Sequence, residues 1–198
     1  LECMEEGQVT VEGVTYPLPR PFHVVATQNP IAMEGTHALL EAGRDRFMAR
    51  VSMGYPSEDA ERALVRARDL GEPIATVGAV ASLSDAVRMI QAARRTFVAE
   101  PVRDYAVALT RATRVSPALA LGASPRAAIH LVTAAKAWAA TQGRSYVLPD
   151  DVQALAVAVL SHRIVPVNPV RGAESLTQAA AIIRECMATV PVPVPIQR

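Results

Sequence analysis

Apolar positions follow two different periods along this chain, and the change of period falls near Pro56. Before it, apolar residues alternate with polar ones or gather in short runs, the habits of strands. Leu1 to Gly7 reads as the tail of a helix. Gln8 to Tyr16 alternates, with Val9 and Val11 facing Val14 and Tyr16 around Glu12-Gly13, which predicts a β-hairpin. Pro17, Pro19 and Pro21 end it, because proline cannot donate to a ladder. The run Phe22-His23-Val24-Val25-Ala26-Thr27-Gln28 then stops at Asn29-Pro30, the pattern of a buried parallel strand that delivers a polar side chain to the crevice beyond its carboxyl end. Ala49 to Met53 offers a second short strand, closed by Gly54-Tyr55-Pro56.

From Ser57 onward apolar residues recur at three and four, as on helices. Ser57 can cap a helix with Ala60, Ala63, Leu64 and Ala67 on one face and Gly71 past its end. Ser82 with Asp85 predicts a capping box opening a helix whose apolar positions are Leu83, Val87, Ile90 and Phe97. Pro101 opens another, with Val102, Tyr105, Ala106 and Leu109 on its inner face. Ser124-Pro125 is the strongest start in the chain, a cap residue before proline at the first helical position, leading an alanine-rich run to Gly143. Asp150 and Asp151 stand in the first turn of the next helix, where carboxylates oppose the dipole. A last helix is expected from Glu174 to Met187, before an extended tail punctuated by Pro191, Pro193 and Pro195. The fold class expected is α/β followed by all-α, with residues 1–56 as the end of an α/β core and 57–198 as a helical domain.

Composition narrows the function classes. The chain has 198 residues, 51% of them apolar, enough for a real core. Its formal net charge of +1 argues against a dedicated nucleic-acid binder. Cys3 and Cys186 lie far apart without metal-ligand spacing, so neither a disulfide framework nor zinc is indicated, and a cytoplasmic protein is expected. No apolar run approaches a membrane span. The chain begins at Leu1, which suggests a fragment, a processed form or a trimmed chain. His23, His37, His130 and His162 show no ligand spacing, Arg94-Arg95 reads as a solvated helix face, and Trp138 with Tyr105 reads as core.

Several motifs in order carry a family resemblance. Ala26-Thr27-Gln28-Asn29-Pro30, Glu34-Gly35-Thr36, Glu41-Ala42, Asp45-Arg46-Phe47 and Gly54-Tyr55-Pro56 are followed by Leu121-Gly122-Ala123-Ser124-Pro125-Arg126-Ala127, Gly143-Arg144-Ser145-Tyr146-Val147, Pro149-Asp150-Asp151-Val152 and Leu160-Ser161-His162-Arg163. Together they resemble the carboxy-terminal part of the MoxR-type AAA+ ATPases. The resemblance implies ATP and Mg2+ as cofactors, a hexameric ring of identical subunits, and remodelling or maturation of partner proteins, often ones with von Willebrand factor A domains. Neither nucleic acid nor membrane is implied as a partner.

The same resemblance gives residues roles. Asn29 matches sensor 1, an amide that can both donate to and accept from an attacking water; from its own pattern it is better read as a turn cap before Pro30. Arg46 matches the arginine finger, for which a planar, permanently charged fork suits phosphate oxygens; otherwise it is a surface arginine paired with Asp45 or Glu41. Gly43-Arg44 departs from the family pattern and makes Arg44 a competing finger. Arg126 matches sensor 2, in a helix first turn where free N–H groups also attract phosphate; otherwise it faces solvent. No GxxxxGK[ST] occurs, and no acidic strand end of the Walker B kind, so the chain taken alone is expected not to hydrolyse ATP. A truncated, non-catalytic module that binds full-length subunits is the other reading. In either case the first 56 residues would lack sheet neighbours and leave an unpaired edge.

Overall fold

Glu12 and Gly13 both take positive φ, at 50° and 81°, the pair of left-handed residues that a type I′ hairpin turn requires. They join β1 (Gln8–Val11) to β2 (Val14–Pro17), with Val9 opposite Tyr16 and Val11 opposite Val14, the register that the alternation predicts. The computed structural model describes residues 2–28, 41–69, 73–170, 172 and 174–194. A short helix, α1 (Glu2–Glu5), precedes the hairpin and is tied to it through Glu2, whose carboxylate accepts from the Thr10 backbone N–H at 3.1 Å and its hydroxyl at 2.6 Å.

The two other strands expected before Pro56 do not form ladders. Phe22 to Gln28 carries no strand pairing, and Val25 is 80% exposed. Ala49 to Met53 holds to the rest through the Arg50 N–H, which donates to the Ala158 carbonyl at 2.8 Å, while Val51 and Met53 lie open. An apolar run becomes a buried strand only where neighbours accept its N–H and C=O groups, and among the described residues none lies alongside. Asn29 and the segment to Leu40 fall outside the described residues.

After α2 (Glu41–Arg44) the chain reaches α3 (Glu58–Asp69), with the Ser57 hydroxyl accepting from the Ala60 N–H at 3.3 Å as a cap. The apolar face expected on α3 is open to solvent, Leu64 included. A 3₁₀ turn (Pro73–Thr76) leads to α4 (Leu83–Arg95), which opens on the expected capping box: Asp85 N–H to Ser82 Oγ at 3.2 Å and Ser82 N–H to Asp85 Oδ2 at 2.8 Å. Phe97 lies past the end of α4, where its backbone bridges to Tyr146.

The core is built by four helices, α5 (Glu100–Val115), α6 (Pro125–Thr141), α7 (Pro149–Leu160) and α8 (Glu174–Ala188). α5 buries Val102, Tyr105, Ala106 and Leu109, the face read from the sequence, and α6 buries Ala127, Leu131, Ala135 and Ala139 at four-residue spacing. Alanines on that stripe let helices approach closely. Trp138 stands one position before Ala139, about 100° around the helix, and is 43% exposed rather than core; the helical period places it off the buried stripe. β3 (Leu119–Leu121) pairs antiparallel with β4 (Val165–Pro166), two short strands with no alternation long enough to predict.

Two of the motifs are structural joints. A Cβ on Gly122 would lie 2.6 Å from the Arg114 Cα, so only glycine lets this segment cross the end of α5. Asp151 does more than oppose a dipole. It is 4% exposed, accepts from the Leu148 N–H at 2.8 Å, and takes both prongs of Arg144 at 2.7 and 2.5 Å. Burial acts to raise its pKa, but the Arg144 fork and the Leu148 N–H outweigh it and hold the carboxyl below its ordinary value. Asp151→Ala leaves Arg144 without this partner and frees the turn into α7, at a cost of about 3 kcal/mol, the lower end for a buried pair because Arg144 keeps 23% exposure. In thermal unfolding the midpoint should fall by roughly 5–10 °C, and an unchanged midpoint would show that the pair does not hold this turn.

Candidate functional site

Ser124 starts α6 with extended φ and ψ, as a cap residue should, yet its hydroxyl makes no bond to its own helix. It donates instead across the molecule to Asp45, lying 3.0 and 2.9 Å from the two carboxylate oxygens. Asp45 is thereby turned away from its neighbour Arg46 and toward the helical domain. Its second partner is Arg163, whose Nη1 donates to Oδ1 at 2.8 Å.

Arg163 has no exposed side-chain surface and spends its donors on four groups. Nε donates to the Val159 carbonyl at 2.8 Å, Nη1 to Asp45, and Nη2 to the Phe47 carbonyl and to His130 Nδ1, the latter at 2.5 Å. The Phe47 carbonyl also accepts from His162 Nε2 at 3.0 Å. The 3₁₀ turn Ser161–Arg163 after α7 therefore grips the residues on either side of Arg46, Asp45 by its carboxylate and Phe47 by its carbonyl, which gives the Leu160-Ser161-His162-Arg163 motif its physical meaning. A guanidinium stays charged when buried and can satisfy several acceptors at once, which lysine cannot.

Held in this way, Arg46 projects into a cleft of about 330 Å³ lined by Met4, Glu5, Arg46, Arg126 and His130. Its Nε lies 3.0 Å from Glu5 Oε2, and Arg126 Nη2 pairs with the other oxygen, Oε1. The two arginines singled out from the sequence thus meet on one carboxylate. Arg46 turns to Glu5 rather than to Asp45, the Glu41 side chain lies outside the described residues, and Arg126 is half-buried rather than fully open to solvent. The Arg46 guanidinium first, and then the Arg126 charge, outweigh burial to hold the Glu5 carboxyl below its ordinary range. Arg44 does not line the cleft; burial and then Arg44 push the Arg50 guanidinium down.

Two histidines read from the sequence only as lacking ligand spacing belong here. Because an arginine can only donate, His130 Nδ1 is the acceptor, which places the imidazole proton on Nε2. Burial, then the Arg163 and Arg126 charges, push its pKa below the usual value. His162 is 5% exposed, donates to Phe47 and has no partner for Nδ1 among the described residues. Burial pushes its pKa from 6.5 to about 4.

The folded state therefore takes up this proton less readily than the unfolded chain. Stability at His162 is complete above the unfolded pKa of 6.5 and falls as pH drops toward the folded value of about 4. The loss across that window is ~3 kcal/mol. Denaturant unfolding at pH 7, 6, 5 and 4 should show it, and His162→Gln, whose amide can serve the same carbonyl but does not titrate, should flatten the curve. An equal slope in the variant would locate the pH dependence elsewhere.

Sequence reasoning missed Glu5, His130 and the clamp. Asp45 and Arg163 each stood within a recognised motif, but only folding pairs positions 118 residues apart. His130 carried no local signal.

Comparison with known proteins bears on the family and the fold. Residues 1–49 match the model of the ATPase family associated with various cellular activities (AAA), and residues 111–186 match the AAA lid domain. The uncharacterized protein YeaC of Bacillus subtilis is 42% identical over 98% of this chain and 60% of its own length. Chaperone MoxR1 of Mycobacterium tuberculosis is 40% identical over 83% of this chain and 46% of its own, and protein MoxR of Paracoccus denitrificans is 31% identical over 98% and 62%. The crystal structure of a candidate ATPase from Cytophaga hutchinsonii superposes with a TM-score of 0.84 at 33% identity, covering 98% of this chain and 61% of that one. The chain thus spans about half to three-fifths of the length of the relatives it matches. The fold is that of the end of an AAA+ core followed by its helical lid.

Proposed function

The chain belongs to the MoxR-type AAA+ ATPases, and from that membership we propose that Asn29, Arg46 and Arg126 serve as its sensor 1, arginine finger and sensor 2. They would act in a hexameric ring that couples ATP binding and hydrolysis to remodelling or maturation of partner proteins, among them ones with von Willebrand factor A domains. The observation that supports the reading is the convergence of Arg46 and Arg126 on the two oxygens of Glu5. Two guanidiniums that grip one carboxylate have the charge and spacing to grip one phosphoryl group. If the finger serves a neighbour's nucleotide, Arg126 is placed to serve the same one.

A phosphate oxyanion fits the cleft on charge and donors. Magnesium does not find its ligands here, since the described residues hold no group of three or more His, Cys, Asp or Glu side chains suited to a metal ion. Bound with nucleotide, the ion would neutralise phosphate charge from groups outside these residues. Because the sequence holds no GxxxxGK[ST], we propose that this segment alone is inactive and that turnover belongs to the longer protein. No helix among the described residues is long and apolar enough to cross a membrane. The helical lid would begin near Ser57, and the hairpin, with Val9, Val11, Val14 and Tyr16 exposed on one face, would meet the partner or the pore.

Arg126 gives the direct test. Arg126→Ala in the full-length protein should lower kcat/KM for ATP by about 10- to 100-fold, the worth of one or two charge-assisted hydrogen bonds. An unchanged kcat/KM with intact assembly would overturn its assignment.

A further inference from the structure

Glu5 is the charged residue in the cleft that no role has claimed. It ends α1, where a helix offers a carboxylate no dipole stabilisation, and its neighbours are occupied elsewhere: Glu2 holds Thr10 and Gln8, and Glu6 holds Gln8 at 2.9 Å. Only Glu5 turns to the arginines, one oxygen to each. Arg46 and Arg126 are like charges brought onto one carboxylate, so an anion between them offsets their mutual repulsion. All three side chains keep solvent contact, at 35% for Glu5, 25% for Arg46 and 39% for Arg126, so the occupant can be exchanged without opening the core. His130, its remaining proton on Nε2, adds an uncharged donor to the lining.

We propose that Glu5 is a resident surrogate for a phosphate oxyanion: it fills the Arg46–Arg126 site until a phosphate group displaces it, and its release loosens α1 from the site. The consequence reaches the hairpin, because α1 is fastened to β1 by the Glu2 bonds to Thr10. Occupancy of the arginines by phosphate then frees the α1–hairpin unit, and its absence draws that unit back. Glu5 thus regulates the phosphate site, and the inference rests on the assignment of Arg46 and Arg126 to phosphate.

The test titrates the 198-residue chain with inorganic tripolyphosphate, and in parallel with ATP, following the Nε–H resonances of Arg46 and Arg126 by NMR. Half-exposed ion pairs compete modestly, so Glu5→Gln should tighten tripolyphosphate binding by about 5- to 20-fold. Glu6→Gln, an equal change of charge one residue away, should shift it by less than about twofold. In the unmutated chain, saturation should also speed amide exchange in residues 2–17. An equal gain for ATP says that the oxyanion chain is what displaces Glu5; a gain for ATP alone says that a nucleotide is needed to do so, and both support the exchange. If the unmutated chain already binds as tightly as Glu5→Gln while Arg126→Ala abolishes binding, the phosphate site stands and the surrogate is overturned. Equal gains from Glu5→Gln and Glu6→Gln reduce the effect to a general field and also overturn it. If no variant binds either probe, the assignment of the arginines to phosphate fails first and takes this proposal with it.

Discussion

Arg46→Ala in the full-length protein should lower ATP turnover by about 10³-fold while leaving nucleotide binding and ring assembly in place. The size follows from what a finger does: its charge meets charge that develops in the transition state, so its loss appears in kcat more than in KM. The location follows from the clamp, because Arg163 and His162 hold the residues on both sides of Arg46, Asp45 by its carboxylate and Phe47 by its carbonyl, and the guanidinium between them has only a short arc to sweep. Arg46→Lys should recover little, since an ammonium lacks the planar fork. Arg44→Ala serves as the comparison and should cost less than about tenfold, as Arg44 does not line the cleft. Steady-state kinetics with an assembly assay decides the matter: full turnover in Arg46→Ala with normal assembly would end the finger assignment. If Arg46 and Arg126 hold the same phosphoryl group, the losses in the double variant will also be far from additive.

The second large effect is on stability. Arg163→Ala removes a side chain with no exposed surface and strips Asp45, the Phe47 and Val159 carbonyls and His130 of a donor at once. Breaking a buried ion pair on one side costs ~3–5 kcal/mol; Asp45 keeps 24% exposure and a bond to Ser124, which argues for the lower end, about 3 kcal/mol. For a chain of this size the thermal midpoint should drop by roughly 6–12 °C. Arg163→Lys should regain only part of it, because one ammonium cannot span four acceptors in a plane. Arg163→Ala should also blunt turnover in the full-length protein, since the segment that aims Arg46 would no longer be fixed. A midpoint within 2 °C of the parent would show that the clamp does not hold the site.

Much of the fold was legible from local chemistry. Ser82 and Asp85 announced a capping box, Glu12-Gly13 a tight turn, and Val102, Tyr105, Ala106 and Leu109 a buried helix face, because each depends on residues within a turn or two of one another. The parallel strands were legible as composition and not as a ladder. Phe22 to Gln28 and Ala49 to Met53 have the composition of buried strands, but a strand is completed by its neighbours, and no ladder forms on them among the described residues. Trp138 was misplaced for a related reason: apolar size suggests burial, while its angle on α6 sets it beside the alanine stripe and not on it.

For the site, the sequence by itself determined the chemistry available: two arginines in motifs that resemble finger and sensor 2, an amide at Asn29, and a proline-started helix to present Arg126. Those are matters of residue type and local spacing. Only the tertiary structure decided that Asp45 belongs to Ser124 and Arg163, that His162 and Arg163 hold the backbone around Arg46, and that Glu5 stands between Arg46 and Arg126. Charge pairing acts over a few ångströms of space and takes no account of the 118 residues between Asp45 and Arg163. Position along the chain fixes which groups exist; packing fixes which of them meet.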